Sequence, residues 1–319
     1  MRTRRSFLRD AGALTLGGLV LPELTKADSL FSSVASRPIG LQLFTLFRPM
    51  SDDPKGTLEK VAAVGYKEIE SAFSLREGYY GYKAKEFKAL VEGLGMTWRA
   101  HHAMGAPFKP RPTPPASTTG AAGGAAPRPA MDFSKIPPML SLRDNYQQLV
   151  DQAAEGGLSY LVCASTPVAT LDEIQKSIEV FQKTGEACKK AGIGFAYHNH
   201  ATEFDPVEGG KTPYDLILSQ TDKELVKMEL DLAWAVKAGK DPVKLFKEHP
   251  GRFPLWHTKD IKADLKTITE VGNGVVDFKS AFAAAKTAGL KYFFVEQDMA
   301  AEPIESITTS YNYLKKLQA

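Results

Sequence analysis

Several short polar clusters in this 319-residue chain close runs of apolar residues. They read Tyr197-His198-Asn199-His200, Glu229-Leu230-Asp231, His257-Thr258-Lys259 and Glu296-Gln297-Asp298, with Glu70 and His101-His102 ending two earlier runs. Unpaired buried charge is costly, so polar groups that converge after apolar runs point to a metal or ion-pair site. Asp231, His257 and Glu296 offer two hard oxygen donors and an imidazole, a mixture that suits Mn²⁺, Mg²⁺, Co²⁺ or Zn²⁺ without choosing among them. A divalent ion there would polarise a carbonyl or hydroxyl oxygen and stabilise the charge left when a neighbouring proton is removed.

Such groups must be carried by elements that aim them at one point. From Ile39 onward, apolar runs alternate with helical patterns in which apolar residues recur at three- and four-residue spacing, as in Leu58, Val61, Ala62 and Gly65. The runs predict strands at Ile39–Phe44, Tyr66–Ala72, Met96–Ala103, Tyr160–Ala164, Gly194–His200, Val226–Asp231, Phe253–Lys259 and Tyr292–Glu296. Eight strand–helix pairs make an α/β chain, a (β/α)8 barrel, whose site lies at the C-terminal strand ends. Residues two apart on a strand share a face, which places His200 with His198 and Lys259 with His257. A structural salt-bridge cluster of Asp231, His257 and Glu296 is the competing reading; barrel interiors are usually filled by apolar layers, which favours the ion. Asp277 reads as a helix cap. Val271-Gly-Asn-Gly274 follows the seventh strand and reads as a phosphate-binding loop or a tight turn.

Two segments stand apart. Residues 106–138 are crowded with Pro, Ala, Gly, Ser and Thr, a composition that reads as a disordered insertion after the third strand. Residues 1–35 resemble a twin-arginine export signal: Arg4-Arg5-Ser6-Phe7-Leu8, then an apolar stretch from Ala11 to Leu21 that is too short to span a bilayer. Ser33-Val34-Ala35 sets cleavage before Ser36, with a cut after Ala27 as the alternative. The expected product is periplasmic or secreted, with no membrane segment in its mature form. The remainder, about 250 residues, is the length of one barrel.

The formal charge is +3, of which the first 35 residues carry +2. The near-neutral body lacks the basic surface that binds nucleic acid. Cys163 and Cys188 fall in a strand and a helix pattern and read as two buried free thiols.

Taken together, Gly40-Leu-Gln-Leu-Phe44, Gly65-Tyr-Lys-Glu-Ile-Glu70, Tyr197-His-Asn-His200, Glu229-Leu-Asp-Leu-Ala-Trp234, His257-Thr-Lys-Asp260, Val271-Gly-Asn-Gly274 and Val295-Glu-Gln-Asp298 occur in an order that resembles the xylose isomerase-like TIM-barrel superfamily, in its sugar phosphate isomerase/epimerase branch. The resemblance implies one metal held by His198, Asp231, His257 and Glu296. In the epimerases of that superfamily the first and last ligands are glutamates that also move protons; His198 replaces the first. A histidine there resembles the dehydratase and lyase members, including inosose dehydratases and enzymes of 3-keto-glycosides. The implied reaction is loss of water or of a glycosidic group beside a carbonyl, with isomerisation or epimerisation as the alternative and a non-catalytic sugar-binding protein as the second. Elimination needs a base and an acid, for which His200 and Lys259 are the candidates. Glu70 and His102 are expected to contact substrate, and Trp234 to pack or to stack on a sugar ring. DNA-repair endonucleases of the superfamily need a histidine at the position of Trp234, which argues against nuclease activity. The expected partner is a small sugar or glycoside, unphosphorylated in an exported protein; the oligomeric state stays open.

Overall fold

A computed structural model describes residues 37–107 and 139–319. The export signal and nearly all of the insertion lie outside the described residues. Eight strands form a closed, all-parallel barrel: β1 (Gly40–Gln42), β2 (Glu68–Ser71), β3 (Thr97–Met104), β4 (Tyr160–Ser165), β5 (Gly194–His198), β6 (Lys227–Asp231), β7 (Leu255–Thr258) and β8 (Tyr292–Val295). Each predicted strand is present; six are trimmed at their ends, while β3 and β4 run one residue past the expected C-terminal end. Hydrogen bonding runs from neighbour to neighbour and closes between β1 and β8, where Gly40 pairs with Phe294. A two-stranded antiparallel ribbon, Asp260–Ile261 with Ile268–Thr269, stands beyond β7.

Helices follow the strands and cover the barrel. The helix Leu171–Lys190 shows the local logic: Thr170 caps it by accepting from the Glu173 N–H, Glu173 reaches back, and Ile174, Ile178 and Phe181 bury one face. Most of the apolar core lies between strands and helices, where Trp98, Trp256 and Phe246 are fully buried.

Inside the barrel a smaller apolar plug fills the lower half: Ala100, Tyr160, Val162, Ala196, Leu255 and Phe294. The inward residue two positions later is His102 on β3, His198 on β5, His257 on β7 and Glu296 just past β8. Period-two alternation therefore lifts a polar layer directly onto the plug. On β3 this phase depends on a bulge. Trp98 pairs with Ile69 and Ala100 with Glu70, so Arg99 is an extra residue. Trp98 thus packs outward on Phe87 and Tyr79, while Ala100 and His102 face inward. His101 turns away, its Nδ1 2.8 Å from Ser71 Oγ and its ring against Tyr79.

Cys163 and Cys188 are free and buried. Among the described residues no helix is long and apolar enough to cross a membrane.

Candidate metal centre

Four strands bring His198, Asp231, His257 and Glu296 to one place, each buried, with one donor atom per residue all within 4.8 Å of one another. Asp231 ends β6 and caps the helix Leu232–Lys237, its Oδ1 accepting from the Trp234 N–H at 2.9 Å. Its own N–H donates to Asn199 Oδ1 at 3.2 Å, which ties β6 to β5. Asp231 Oδ2 is buried and makes no hydrogen bond; it lies 3.1 Å from Lys259 Nζ and 4.0 Å from His257 Nδ1. Glu296 Oε2 is 2.7 Å from His257 Nδ1 and 2.8 Å from Lys259 Nζ. A buried carboxylate oxygen that makes no hydrogen bond, beside an imidazole nitrogen and a second carboxylate, is a donor set that fits a divalent cation.

Lys259 is enclosed by acids. Its ammonium lies 2.7 Å from Asp298 Oδ2, besides its contacts with Asp231 and Glu296, and 5.0 Å from the centre of the Trp234 ring. Burial opposes its charge, but Asp231, Asp298 and Glu296 outweigh burial and raise its pKa well above the usual lysine range. Burial likewise acts against the charged form of Glu296, and Lys259 and His257 overcome it, holding that carboxyl well below its usual range. His257 is raised by Glu229 and Glu296 against the effect of burial. His198 moves the other way: burial first, then His257, hold it neutral.

A second acid layer lies beneath. Glu70 is fully enclosed; its Oε2 accepts from Gln42 Nε2 at 2.8 Å and lies 2.7 Å from His257 Nε2. It therefore backs His257 and does not open onto the mouth. Glu229 Oε2 is 2.6 Å from His102 Nε2, 3.1 Å from His198 Nδ1 and 3.3 Å from His257 Nε2. Burial and the neighbouring Glu229 raise Glu70 to about 7. Burial pushes Glu229 the same way, but His257 and His102 pull it below the usual carboxylate range. His102, His198, Glu229 and His257 also bring one atom each within 4.8 Å of one another.

At the rim, the His200 side chain is 43% exposed, its Nδ1 3.6 Å from Glu203 Oε1 and its ring 5.0 Å from that of His198. Its N–H donates to Glu203 Oε2 at 3.0 Å, and the Tyr197 hydroxyl donates to Glu203 Oε1 at 3.1 Å. Trp234 lies 6.2 Å from the His200 ring. A cavity of about 880 Å³ opens on the β2–β3 side, lined by His101 and His102 together with Phe73, Tyr79, Met104 and Leu140.

Glu229, Glu203 and Asp298 were not singled out as site residues in the sequence. Glu229 carried the clearest signal, since it stands two residues before Asp231 and so shares its face. The loop Val271–Gly274 proves to be a tight turn. Asp260 Oδ2 accepts from the N–H groups of Gly272 and Gly274, both at 2.9 Å, and Oδ1 accepts from that of Val276 at 3.1 Å. Gly274 leaves no room for a side chain, because a Cβ there would lie 2.2 Å from Asp260 Oδ1. Asp277 caps the helix Phe278–Ala283 through the Ser280 N–H.

Comparison with known proteins places this architecture. The model of the xylose isomerase-like TIM-barrel family matches residues 58–317. An inosose dehydratase of Geobacillus thermodenitrificans is 27% identical over 172 residues, 47% of this chain and 56% of that protein. One from Lacticaseibacillus casei is 25% identical over 185 residues, 51% of this chain and 60% of that protein. The chain thus spans less than two thirds of the length of these relatives. A crystal structure of a sugar phosphate isomerase/epimerase from Parabacteroides distasonis superposes with a TM-score of 0.67 at 27% identity, covering 87% of this chain and 93% of that one. An L-ribulose 3-epimerase shares the fold, with a TM-score of 0.62 at 11% identity. With the family match running from the first covering helix to the last, this chain is a member of the xylose isomerase-like TIM-barrel family.

Proposed function

We propose that this chain is a divalent-metal-dependent lyase or dehydratase that removes a proton next to the carbonyl of a keto-sugar or 3-keto-glycoside and expels water or a glycosidic group. The observation that carries the reading is the convergence of His198, Asp231, His257 and Glu296 on one point at the strand ends. A bound divalent ion would supply the positive charge that draws electrons toward the substrate carbonyl. Lys259, held charged by its three acids, donates a proton to the leaving oxygen. His200 takes the proton beside the carbonyl. Glu203, 3.6 Å from its Nδ1, offsets the positive charge that His200 gains. Trp234 offers an aromatic face beside both groups, and His102 reaches the adjoining cavity.

The inosose dehydratase relatives support elimination. The sugar phosphate isomerase/epimerase neighbour favours a second reading, epimerisation. The substrate is unphosphorylated in our reading, because Asp260 already occupies the amides of the loop after β7. The near-neutral body and Trp234 speak against nucleic acid. The twin-arginine motif supports export to the periplasm or the medium, and changing both Arg4 and Arg5 to Lys is expected to retain the protein in the cytoplasm.

The test is to strip the protein with a chelator, restore Mn²⁺, Mg²⁺, Co²⁺ or Zn²⁺ one at a time, and follow 3-keto-glycosides and free ketoses in D₂O. Metal-dependent release of water or aglycone is expected. Turnover that ignores the chelator, or survives Asp231→Ala, would sink the proposal; a stereoisomer with solvent deuterium and no eliminated group would select the epimerase reading.

A further inference from the structure

An imidazole binds a cation through one nitrogen only if the other keeps the proton, so whatever faces the second nitrogen decides how the ring is presented. The two candidate imidazole donors here are held from opposite sides. His257 turns Nε2 to Glu70 at 2.7 Å and points Nδ1 toward Asp231 and Glu296. His198 turns Nδ1 to Glu229 at 3.1 Å, which leaves Nε2 for the cation. Glu229 stands two residues before Asp231 on β6, about 6–7 Å deeper along the strand, in the layer of the plug residue Leu255 with which it pairs. It is wholly enclosed, and its Oε1 has no hydrogen-bond partner.

We infer that Glu229 is a positioning residue: by accepting from His198 Nδ1–H it fixes the tautomer and tilt that present Nε2 to the ion, without binding the ion itself. The inference rests on the metal reading of the site. It also gives His102 a place, since its Nε2 lies 2.6 Å from the same Glu229 oxygen and braces the carboxylate from the opposite strand.

The experiment uses the full chain and Zn²⁺ alone. Zinc stoichiometry and affinity are measured by competition with a chelator, and the ring nitrogens of His198 are read by ¹⁵N NMR in the zinc-loaded wild type. One ion per chain is expected, with His198 Nδ1 protonated and Nε2 metal-bound. Glu229→Gln is expected to weaken zinc binding roughly ten- to a hundred-fold and to mix the His198 tautomers. His102→Asn, which removes only the brace on Glu229 and keeps the His198–Glu229 contact, is expected to weaken zinc binding clearly less than Glu229→Gln does. Zinc on Nδ1 of His198, two ions per chain, or equal losses in the two variants would overturn the inference. The wild-type spectrum decides even if Glu229→Gln does not fold. A wild type that binds no zinc would defeat the metal reading as well, which separates the two failures.

Discussion

Two layers of the barrel interior stand two residues apart on the same strands and obey opposite rules. Below, Ala196, Leu255 and Phe294 pack as an apolar plug; above, His198, His257 and Glu296 form a polar, ionisable set of comparable burial. The plug is stabilised by close packing, which no ion or ligand changes. The upper layer carries charges whose desolvation is costly and is offset by partners: Glu70 and Glu229 under the histidines, Lys259 among the acids. A site can thus be pre-formed at the cost of local stability because a rigid plug supports it.

Breaking the plug should give the largest effect on folding. Phe294→Ala is expected to cost about 4 kcal/mol, measured by urea unfolding, equally with and without added divalent ion. Opening the upper layer should behave differently. Lys259→Met strands Asp231, Glu296 and Asp298 without their ammonium, an expected loss of about 3 kcal/mol in the metal-free protein. Added Mn²⁺ or Zn²⁺ should recover much of that loss, because a bound cation stabilises the form that holds it; equal losses with and without the ion would show that the acids do not share a cation site. Outside both layers, Asp277→Ala removes a helix cap at about 1 kcal/mol and should leave turnover unchanged. A fall in turnover there would move the boundary of the site beyond the barrel mouth.

The strand pattern was legible because each barrel strand is a local apolar run bounded by turn residues. The donor set was legible for a related reason: His198, Asp231, His257 and Glu296 sit at strand ends, and the fold dictates that such ends meet. What could not be read are contacts across the barrel. Glu70 meets His257 over 187 residues, and Glu229 meets His102 over 127, and no local pattern encodes either pairing. Glu70 accordingly reads as a substrate contact in the sequence, yet it lies under His257. The enclosure of Lys259 depends on Asp298 arriving from the loop after β8, and the turn at Val271–Gly274 depends on Asp260 reaching back to its amides.

The extra residue at Arg99 also bears on how this interior could diverge. Two adjacent histidines, His101 and His102, compete for one inward position, and the strand's phase chooses between them. Deleting Arg99 would only remove the bulge and leave His102 inward, whereas smoothing the bulge with every residue kept would rotate the pair and exchange their surroundings while altering neither side chain. Backbone register in that strand, as much as residue identity, then sets which imidazole meets Glu229. Among relatives a bulge lost without a gap at this point would mark a rewired interior that a comparison of side chains alone would overlook.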